Sequence, residues 1–305
     1  MSIPAALSTA VVSNSPQAST LSVVIGTIAS MWPIVGTEAV ATGALTRGAL
    51  RWRYTVVHPN IYLPKDARRD LFTNTVAAWL WTGRKGIVAG RAAAALHGVQ
   101  WIEDTVPIEL IARHRRRQPG VVVRDEQIGD DEVCKVGELL VTTPARTGLD
   151  LARHLPRDAA VAHLDALGAV TGLAATDIAS LAERHRATPG IRAARAAVSL
   201  MDGGSRSPRE TSLRLLLIDA GLPRPRTDIR LSDDLWEATI GMGWDGPMVG
   251  VDCEEDRSGL NAVQDIACQE LFQRLGWFHI RAHPQQSPTF ILHRVRAALR
   301  QYGWR

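Results

Sequence analysis

The stretch Val249-Gly250-Val251-Asp252-Cys253-Glu254 decides how the last third of this chain folds. Its apolar residues predict a buried β-strand, and its two acidic side chains, two positions apart, share one face at the end of that strand. Carboxylate oxygens grouped in this way are the ligands that Mg²⁺ prefers in proteins. The pattern therefore predicts a candidate metal site at Asp252 and Glu254. The alternative is that both belong to a solvated acidic loop that follows a buried strand.

A helix with an acidic first turn precedes this strand. Ser207-Pro208-Arg209-Glu210 fits a capping box, with Ser207 as the N-cap, Pro208 at the first helical position and Glu210 reaching back to the N–H of the cap. Glu210 therefore has two interpretations, as a helix cap or as a third carboxylate of the metal site. The two roles are compatible.

The order of these segments resembles the PD-(D/E)XK nuclease fold and, within it, the very-short-patch-repair-like endonucleases. The resemblance rests on the following segments, in chain order: 205–210, 213–217, 220–223, 240–244, 249–254, Asp265 and 275–277. It implies an α/β restriction-endonuclease-like domain over residues 205–305. It also implies a Mg²⁺ ion that activates a water and neutralises charge on the scissile phosphate. Glu210, Asp252 and Glu254 would be its catalytic and metal-binding residues.

One position departs from this family in a way that bears on activity. Gly241 falls where the family places its metal-binding strand aspartate, and glycine has no ligand atom to offer. No lysine follows Lys135, so the lysine of many PD-(D/E)XK sites is missing as well. We therefore expect a catalytically impaired site that holds Mg²⁺ weakly or not at all.

The front of the chain has a different pattern. Two short helical segments within 36–51 precede a β-hairpin over 54–63, with its turn at Pro59-Asn60, which is the order of a winged helix. Together with the segments 90–98 and 142–153, this order resembles the AbiEi-like antitoxin and transcriptional regulator family over residues 32–200. These segments also have structural explanations, as a close helix contact at 92–95 and a helix entry at Thr143-Pro144 with Arg146 and Asp150 paired four residues apart.

Positive charge is concentrated in the same part of the chain. The net charge is +4, and residues 1–200 hold 22 basic and 17 acidic side chains against 13 and 14 in residues 201–305. The densest basic run, Arg113-His114-Arg115-Arg116-Arg117, lies between two apolar segments that predict paired strands, so it would form a basic hairpin tip. We expect nucleic acid to contact Arg113, Arg115, Arg116, Arg117, Arg47 and Arg51. The alternative is an ordinary solvated loop.

Composition limits the remaining possibilities. With 305 residues, of which 46% are hydrophobic, the chain can bury two or three cores. Its three cysteines form no metal-binding or disulfide pattern, which favours a reducing cytoplasm. Residues 1–31 hold no positive n-region and no full membrane span, so we expect a disordered extension or a misassigned start, and no membrane partner. His279 and His283 are predicted to lie in a strand and a loop, as ordinary histidines.

The sequence therefore predicts an α/β multi-domain chain with four regions. These are the extension 1–31, a winged-helix-like region 32–105, a mixed α+β regulator-like region 106–201 and the nuclease-like domain 205–305, after a linker at 202–205. Three functions are compatible with it. The first is a nucleic-acid-associated protein, binding DNA and a toxin or other protein partner, with an impaired nuclease-like domain. The second is an active Mg²⁺-dependent DNA endonuclease, and the third an antitoxin-like transcriptional regulator.

Overall fold

The computed structural model describes residues 32–113, 116–253 and 262–303. The predictions made for residues 1–31, Arg115 and Glu254 lie outside this set. The chain has mixed α/β structure and divides into two compact units, residues 1–150 and 151–305. The first contains two of the sheets and the second contains the third.

The first unit combines a small antiparallel sheet with a larger mixed sheet. The small sheet has the order β1-β3-β2, and the larger one has the order β6-β5-β4-β8-β7. The elements of this unit, in chain order, are β1 (Ile34–Val35), α1 (Gly36–Ala41), α2 (Arg47–Arg53), β2 (Tyr54–His58), β3 (Ile61–Pro64), α3 (Leu71–Trp81), β4 (Ile87–Ala89), α4 (Gly90–Leu96), β5 (Ile108–Ile111), β6 (Val121–Arg124), β7 (Val133–Val136), β8 (Leu139–Thr142) and α5 (Pro144–His154), whose last turn belongs to the second unit.

The predicted hairpin near the start of the first unit is confirmed. β2 and β3 pair antiparallel around a turn at Pro59-Asn60, and Asn60 adopts a φ of 65°, a left-handed conformation that asparagine tolerates better than most residues. The Asn60 side chain also accepts a hydrogen bond from the backbone N–H of Thr37, at 3.0 Å. The turn of the hairpin is thereby fixed against α1.

The buried groups of α4 and α5 agree with the sequence pattern. Ala92 and Ala93 are at most 1% exposed and share a core cluster with Ala78 of α3, which confirms a close helix contact, whereas Ala95 at the end of the predicted segment is only half-buried. Pro144 begins α5, and Arg146 Nε donates to Asp150 at 3.0 Å, as the spacing predicts. The same guanidinium, fully buried, also contacts carboxylates of Glu126 and Glu132 that the pattern did not predict.

The basic run does not lie at a hairpin tip, and that prediction is wrong. β5 and β6 pair in parallel, with Ile108 beside Val121 and Ile111 beside Arg124. Parallel strands cannot be joined by a tight turn, because the chain must return to the starting end of the first strand. Both strands are short apolar runs, and such a run does not encode strand direction. The connection between them is therefore a crossover.

The second unit places a helical segment before an αβ domain. Its sheet has the order β12-β11-β10-β9, in which β11 and β12 are parallel and the other neighbours antiparallel. The elements of this unit are α6 (Arg157–Thr171), α7 (Ala175–Arg184), α8 (Ile191–Ser199), α9 (Pro208–Asp219), β9 (Arg226–Ser232), β10 (Glu237–Trp244), β11 (Val249–Cys253), α10 (Ala262–Arg274), β12 (Phe278–Ala282) and α11 (Pro288–Gln301). One core cluster packs α9 and α11 on the sheet, and another packs α10.

The predicted linker at 202–205 lies inside this compact unit. The carboxylate of Asp165, on α6, accepts hydrogen bonds from the N–H of Asp202 at 2.7 Å, from Thr211 Oγ1 at 2.7 Å and from Arg214 Nη2 at 2.6 Å. Asp165 and Arg214 are at most 1% exposed. A buried ion pair therefore joins the helical segment to α9 across the Gly-rich turn.

Within the part of the chain that the structure describes, no single helix is long and apolar enough to cross a bilayer. α6 and α7 meet that test only together, with a bend of 116° between them.

Candidate active site

The candidate site lies at the point in β10 where the side chains at even-numbered positions switch from one side of the sheet to the other. Ala238 and Ile240 pack in the core beneath α10, whereas Met242 and Trp244 pack in the core beneath α9 and α11. Residues two apart on a regular strand share a face, so β10 must be irregular at Gly241. On the neighbouring strand β9, Asp228 lies between the partners of Ile240 and Met242 and adopts a φ of 50°. Both strands are thus distorted at this point.

Glu210 reaches the site from the first turn of α9. Ser207 is the N-cap of this helix and its Oγ accepts from the N–H of Glu210 at 3.2 Å, with Pro208 at the first helical position. These parts of the predicted capping box are confirmed. The Glu210 carboxylate is buried, at 4% exposed, and its Oε2 accepts from the N–H of Arg206 at 2.7 Å. Glu210 therefore supports the helix entry and lies at the candidate site as well.

Asp252 reaches the site from the end of β11. It is 5% exposed, so the interpretation of Asp252 as part of a solvated loop is wrong. The strand is buried along its whole length, and the side chain at its end is enclosed with it. Asp252 Oδ1 accepts a hydrogen bond from the backbone N–H of Gly241, and Oδ2 bonds to His279 Nε2 at 2.7 Å.

Gly241 lies between the two carboxylates. A Cβ atom at this position would lie 2.7 Å from Asp252 Oδ1 and 3.0 Å from Glu210 Oε1. A side chain here would therefore point at both acidic groups. The space that it would need is occupied by the carboxylates themselves.

His279 was predicted to be an ordinary histidine, and the structure places it against Asp252. Its side chain is 3% exposed, its ring lies 4.9 Å from that of Phe272, and Gln269 on α10 contacts Nδ1 at 3.1 Å. If the Gln269 amide is turned so that its oxygen faces His279 and Arg281, that oxygen lies 3.1 Å from His279 Nδ1 and accepts from Arg281 Nε at 3.0 Å. The strand was correctly predicted, but sequence spacing could not show that β12 pairs in parallel with β11 and carries this ring to Asp252.

A small cavity opens beside the carboxylates. Its volume is about 260 Å³, and it is lined by Arg206, Ser207, Glu210, Thr239, Gly241, Asp252 and Cys253. At its rim, Arg206 forms an ion pair with Asp228, and Arg230 contacts the same carboxylate at 3.2 Å. The hydrogen bond from Arg206 is the main cause that lowers the pKa of Asp228 below its usual value. This rim carboxylate is therefore ionised at neutral pH and already neutralised by arginine.

A divalent ion, implied by the resemblance, does not fit the described carboxylates as they stand. Both oxygens of Asp252 and one oxygen of Glu210 accept or share hydrogen bonds with protein groups. Gly241 contributes no side-chain oxygen, although a metal site of this kind uses a cage of several ligands. Mg²⁺ demands near-ideal octahedral geometry, and these oxygens would have to reach it while competing protein donors hold them.

The predicted nucleic-acid-binding residues lie in the first unit. Arg47 and Arg51 are exposed on α2 and line a surface cavity of about 630 Å³, together with apolar residues such as Leu50 and Val56. Trp52, which no sequence motif singled out, is 76% exposed on the same helix. Arg113, Arg116 and Arg117 are exposed in the crossover between β5 and β6.

Comparison with known proteins adds relatives without an assigned activity. No protein-family model matches the chain. It is 29% identical over 214 residues to an uncharacterized protein of Mycobacterium tuberculosis strain CDC 1551, and the alignment covers 68% of this chain and 78% of that protein. An uncharacterized protein of strain H37Rv aligns with the same identity and coverage. The chain is thus similar to a mycobacterial protein along most of the length of both.

Proposed function

We propose that this protein binds nucleic acid and that its nuclease-like site, at Glu210 and Asp252, does not cleave it. The observation that carries the second part is the position of Gly241. Its missing side chain would point between the two buried carboxylates, where the resemblance requires a third ligand. The proposal therefore describes a binding protein with an impaired nuclease-like domain.

The order of elements in the second unit supports a relationship to the PD-(D/E)XK nucleases. Glu210 lies in the first turn of α9, Asp252 ends β11, and α10 leads into β12. These are the positions that the resemblance assigns to the acidic residues. The two carboxylates also approach each other in space, because a Cβ on Gly241 would contact both. Two segments separated by some 40 residues of sequence thus meet at one point.

The alternative function, an active endonuclease, requires another carboxylate in place of the aspartate missing at position 241. Asp245 lies beyond Trp244 in the turn after β10 and pairs with Arg226 at 2.7 Å, at the surface. Glu237 lies at the start of β10, roughly 13 Å along the strand from Gly241. Neither carboxylate is placed to complete the cage.

The first unit supports binding of nucleic acid. α1, α2 and the β2–β3 hairpin follow one another in the order of a winged helix, and α2 exposes Arg47, Arg51 and Trp52. Cationic side chains bind the phosphate backbone, and an exposed aromatic ring can contact bases. This arrangement also favours the antitoxin-like transcriptional regulator as a second candidate function. A DNA operator and a toxin or other protein would be its partners, in the cytoplasm.

Binding is tested by electrophoretic mobility shift with a mixed-sequence duplex, at a series of salt concentrations. We expect Arg47→Ala/Arg51→Ala to weaken binding. The plot of log K against log salt should become less steep, with its negative slope reduced in magnitude by roughly 2. The matched control is Arg192→Ala/Arg195→Ala, which removes the same charge from α8. An equal loss in both double variants would contradict a binding role for α2.

Cleavage is tested with supercoiled plasmid in Mg²⁺ and in Mn²⁺. We expect the wild-type protein and Glu210→Ala to leave the plasmid intact. Nicking by the wild-type protein that Glu210→Ala abolishes would show an active enzyme and overturn the impaired-site proposal.

A further inference from the structure

We propose that His279 closes the acidic site to divalent cations, so that the site is blocked at two positions rather than at Gly241 alone. This inference rests on the proposed nuclease-like site. It concerns the hydrogen bonds that hold both oxygens of Asp252. The missing aspartate at position 241 does not explain the one from His279.

Asp252 is the carboxylate that His279 holds. Its Oδ2 lies 2.7 Å from His279 Nε2, and its Oδ1 accepts from the N–H of Gly241. Each oxygen of Asp252 thus has one of its two acceptor positions taken by a protein donor, and a metal ion must compete with that donor for the charge of the oxygen it binds. Hydrogen bonds to a charged carboxylate are among the stronger ones, because the acceptor carries a full charge.

The imidazole is fixed by its surroundings before any ligand arrives. Gln269 contacts its Nδ1 at 3.1 Å, and Phe272 packs on the ring at 4.9 Å. Arg281, two residues along β12, pairs with Asp265 on α10 at 2.6 Å and, with the Gln269 amide turned as described above, donates to its oxygen. The ring therefore cannot turn away from Asp252 without breaking a second set of contacts.

Restoring an aspartate at position 241 does not remove this obstacle. The new Cβ would lie 2.7 Å from Asp252 Oδ1, so Asp252 has to shift to make room. His279 opposes that shift, because it holds the other oxygen of the same carboxylate. Three carboxylates brought together without a cation would also repel one another. Removal of the imidazole frees Asp252 to turn toward a metal ion.

The test is isothermal titration of Mn²⁺ into the full-length protein and three variants: Gly241→Asp, His279→Val and the double variant Gly241→Asp/His279→Val. Valine suits a buried strand position. We expect the double variant to bind Mn²⁺ roughly tenfold or more tightly than Gly241→Asp, because a charge-assisted hydrogen bond no longer competes with the ion for Asp252. Wild type and His279→Val are expected to bind Mn²⁺ more weakly than Gly241→Asp and the double variant, because both lack the aspartate at position 241.

The matched control is Gly241→Asp/His283→Val, which removes a histidine from the loop after β12. His283 Nδ1 accepts from the backbone N–H of Gln285. We expect this control to bind Mn²⁺ as Gly241→Asp does. Equal affinity of Gly241→Asp and the His279 double variant would overturn the inference, as would absence of binding in a folded double variant.

Folding is checked by circular dichroism, and His279→Ala replaces His279→Val if the valine variant does not fold. The stabilisation of each variant by Mn²⁺ in thermal unfolding gives a second measure of the same affinities. The readouts are metal binding and stability, so nicking by the wild-type protein would refute the proposed function independently of this result.

Discussion

Replacing Asp165 with asparagine tests whether the second unit is held together by its buried ion pair. The Asp165 carboxylate accepts from Arg214 Nη2 at 2.6 Å, and both side chains are at most 1% exposed. The remaining donors of Arg214 reach the carbonyl oxygen of Leu200 at 2.7 Å and Ser205 Oγ at 3.2 Å. Asp165→Asn would leave the buried guanidinium with neutral acceptors alone among its described hydrogen-bond partners.

The expected cost is large because a buried charge loses its counter-charge. Removing one partner of a buried pair costs about 3–5 kcal/mol in the free energy of unfolding. Asparagine retains an acceptor oxygen for Thr211 or for the N–H of Asp202, so we expect a value near the lower end, about 3 kcal/mol. For a unit of this size, that corresponds to a fall in Tm of roughly 6–12 °C.

The assay is urea unfolding of the full-length protein, followed by circular dichroism. The control is Glu183→Gln, which removes the exposed partner of Arg195 and should cost at most about 1 kcal/mol. The double variant Asp165→Asn/Arg214→Met should recover part of the loss, because no charge is then left buried alone. A loss below about 1 kcal/mol for Asp165→Asn would refute the reasoning. It would mean that residues 202–205 act as a hinge and that the helical segment and α9 do not depend on this ion pair for their stability.

Three further predictions concern the first unit. Burial and then the charge of Arg69 lower the pKa of His58. The neutral His58 side chain therefore contributes fully to the stability of the folded protein above about pH 6.5, and this contribution is lost as pH falls toward the folded pKa. Urea unfolding at pH 7.5 and 5.5 should show a larger loss of unfolding free energy at the lower pH for wild type than for His58→Gln. Arg146→Met should destabilise by about 3–5 kcal/mol in thermal unfolding, because buried carboxylates lose their shared guanidinium. Gly90→Ala should destabilise by more than about 1 kcal/mol, because Gly90 has a φ of 57° and a Cβ there would lie 2.4 Å from Glu109 Oε1; a neutral effect in denaturant unfolding would contradict it.

Local signals in the sequence predicted several elements correctly. Pro59-Asn60 between β-rich triplets gave the β2–β3 hairpin, and Ser207-Pro208 gave the start of α9. Such signals act within a few residues, where backbone preference and capping decide the structure. The Arg146–Asp150 pair was predictable for the same reason, because helix geometry fixes neighbours four residues apart.

Long-range pairing was less predictable. The parallel direction of β5 and β6 depends on which neighbours they take in the sheet, and neither strand encodes it. The pair between Asp165 and Arg214 joins residues 49 positions apart, with ordinary helical surroundings in the sequence. Both cases required knowledge of which surfaces meet.

The candidate site was predictable only where alignment with a family supplied the positions. Glu210, Asp252 and Gly241 were chosen by that resemblance, and the structure brings them together. His279 was not, because no periodicity links a strand after α10 to the end of β11. Its contact with Asp252 comes from the parallel pairing of β11 and β12.

The hydrogen bond from the Gly241 amide to Asp252 makes that N–H a built-in spectroscopic probe. Glycine amides fall in a separate region of a nitrogen–proton correlation spectrum, and selective labelling identifies each one. A proton donated to a carboxylate resonates downfield of one donated to water. The chemical shift of the Gly241 amide therefore reports, in the unmodified protein, whether its hydrogen bond to Asp252 persists when cations or nucleic acid are added.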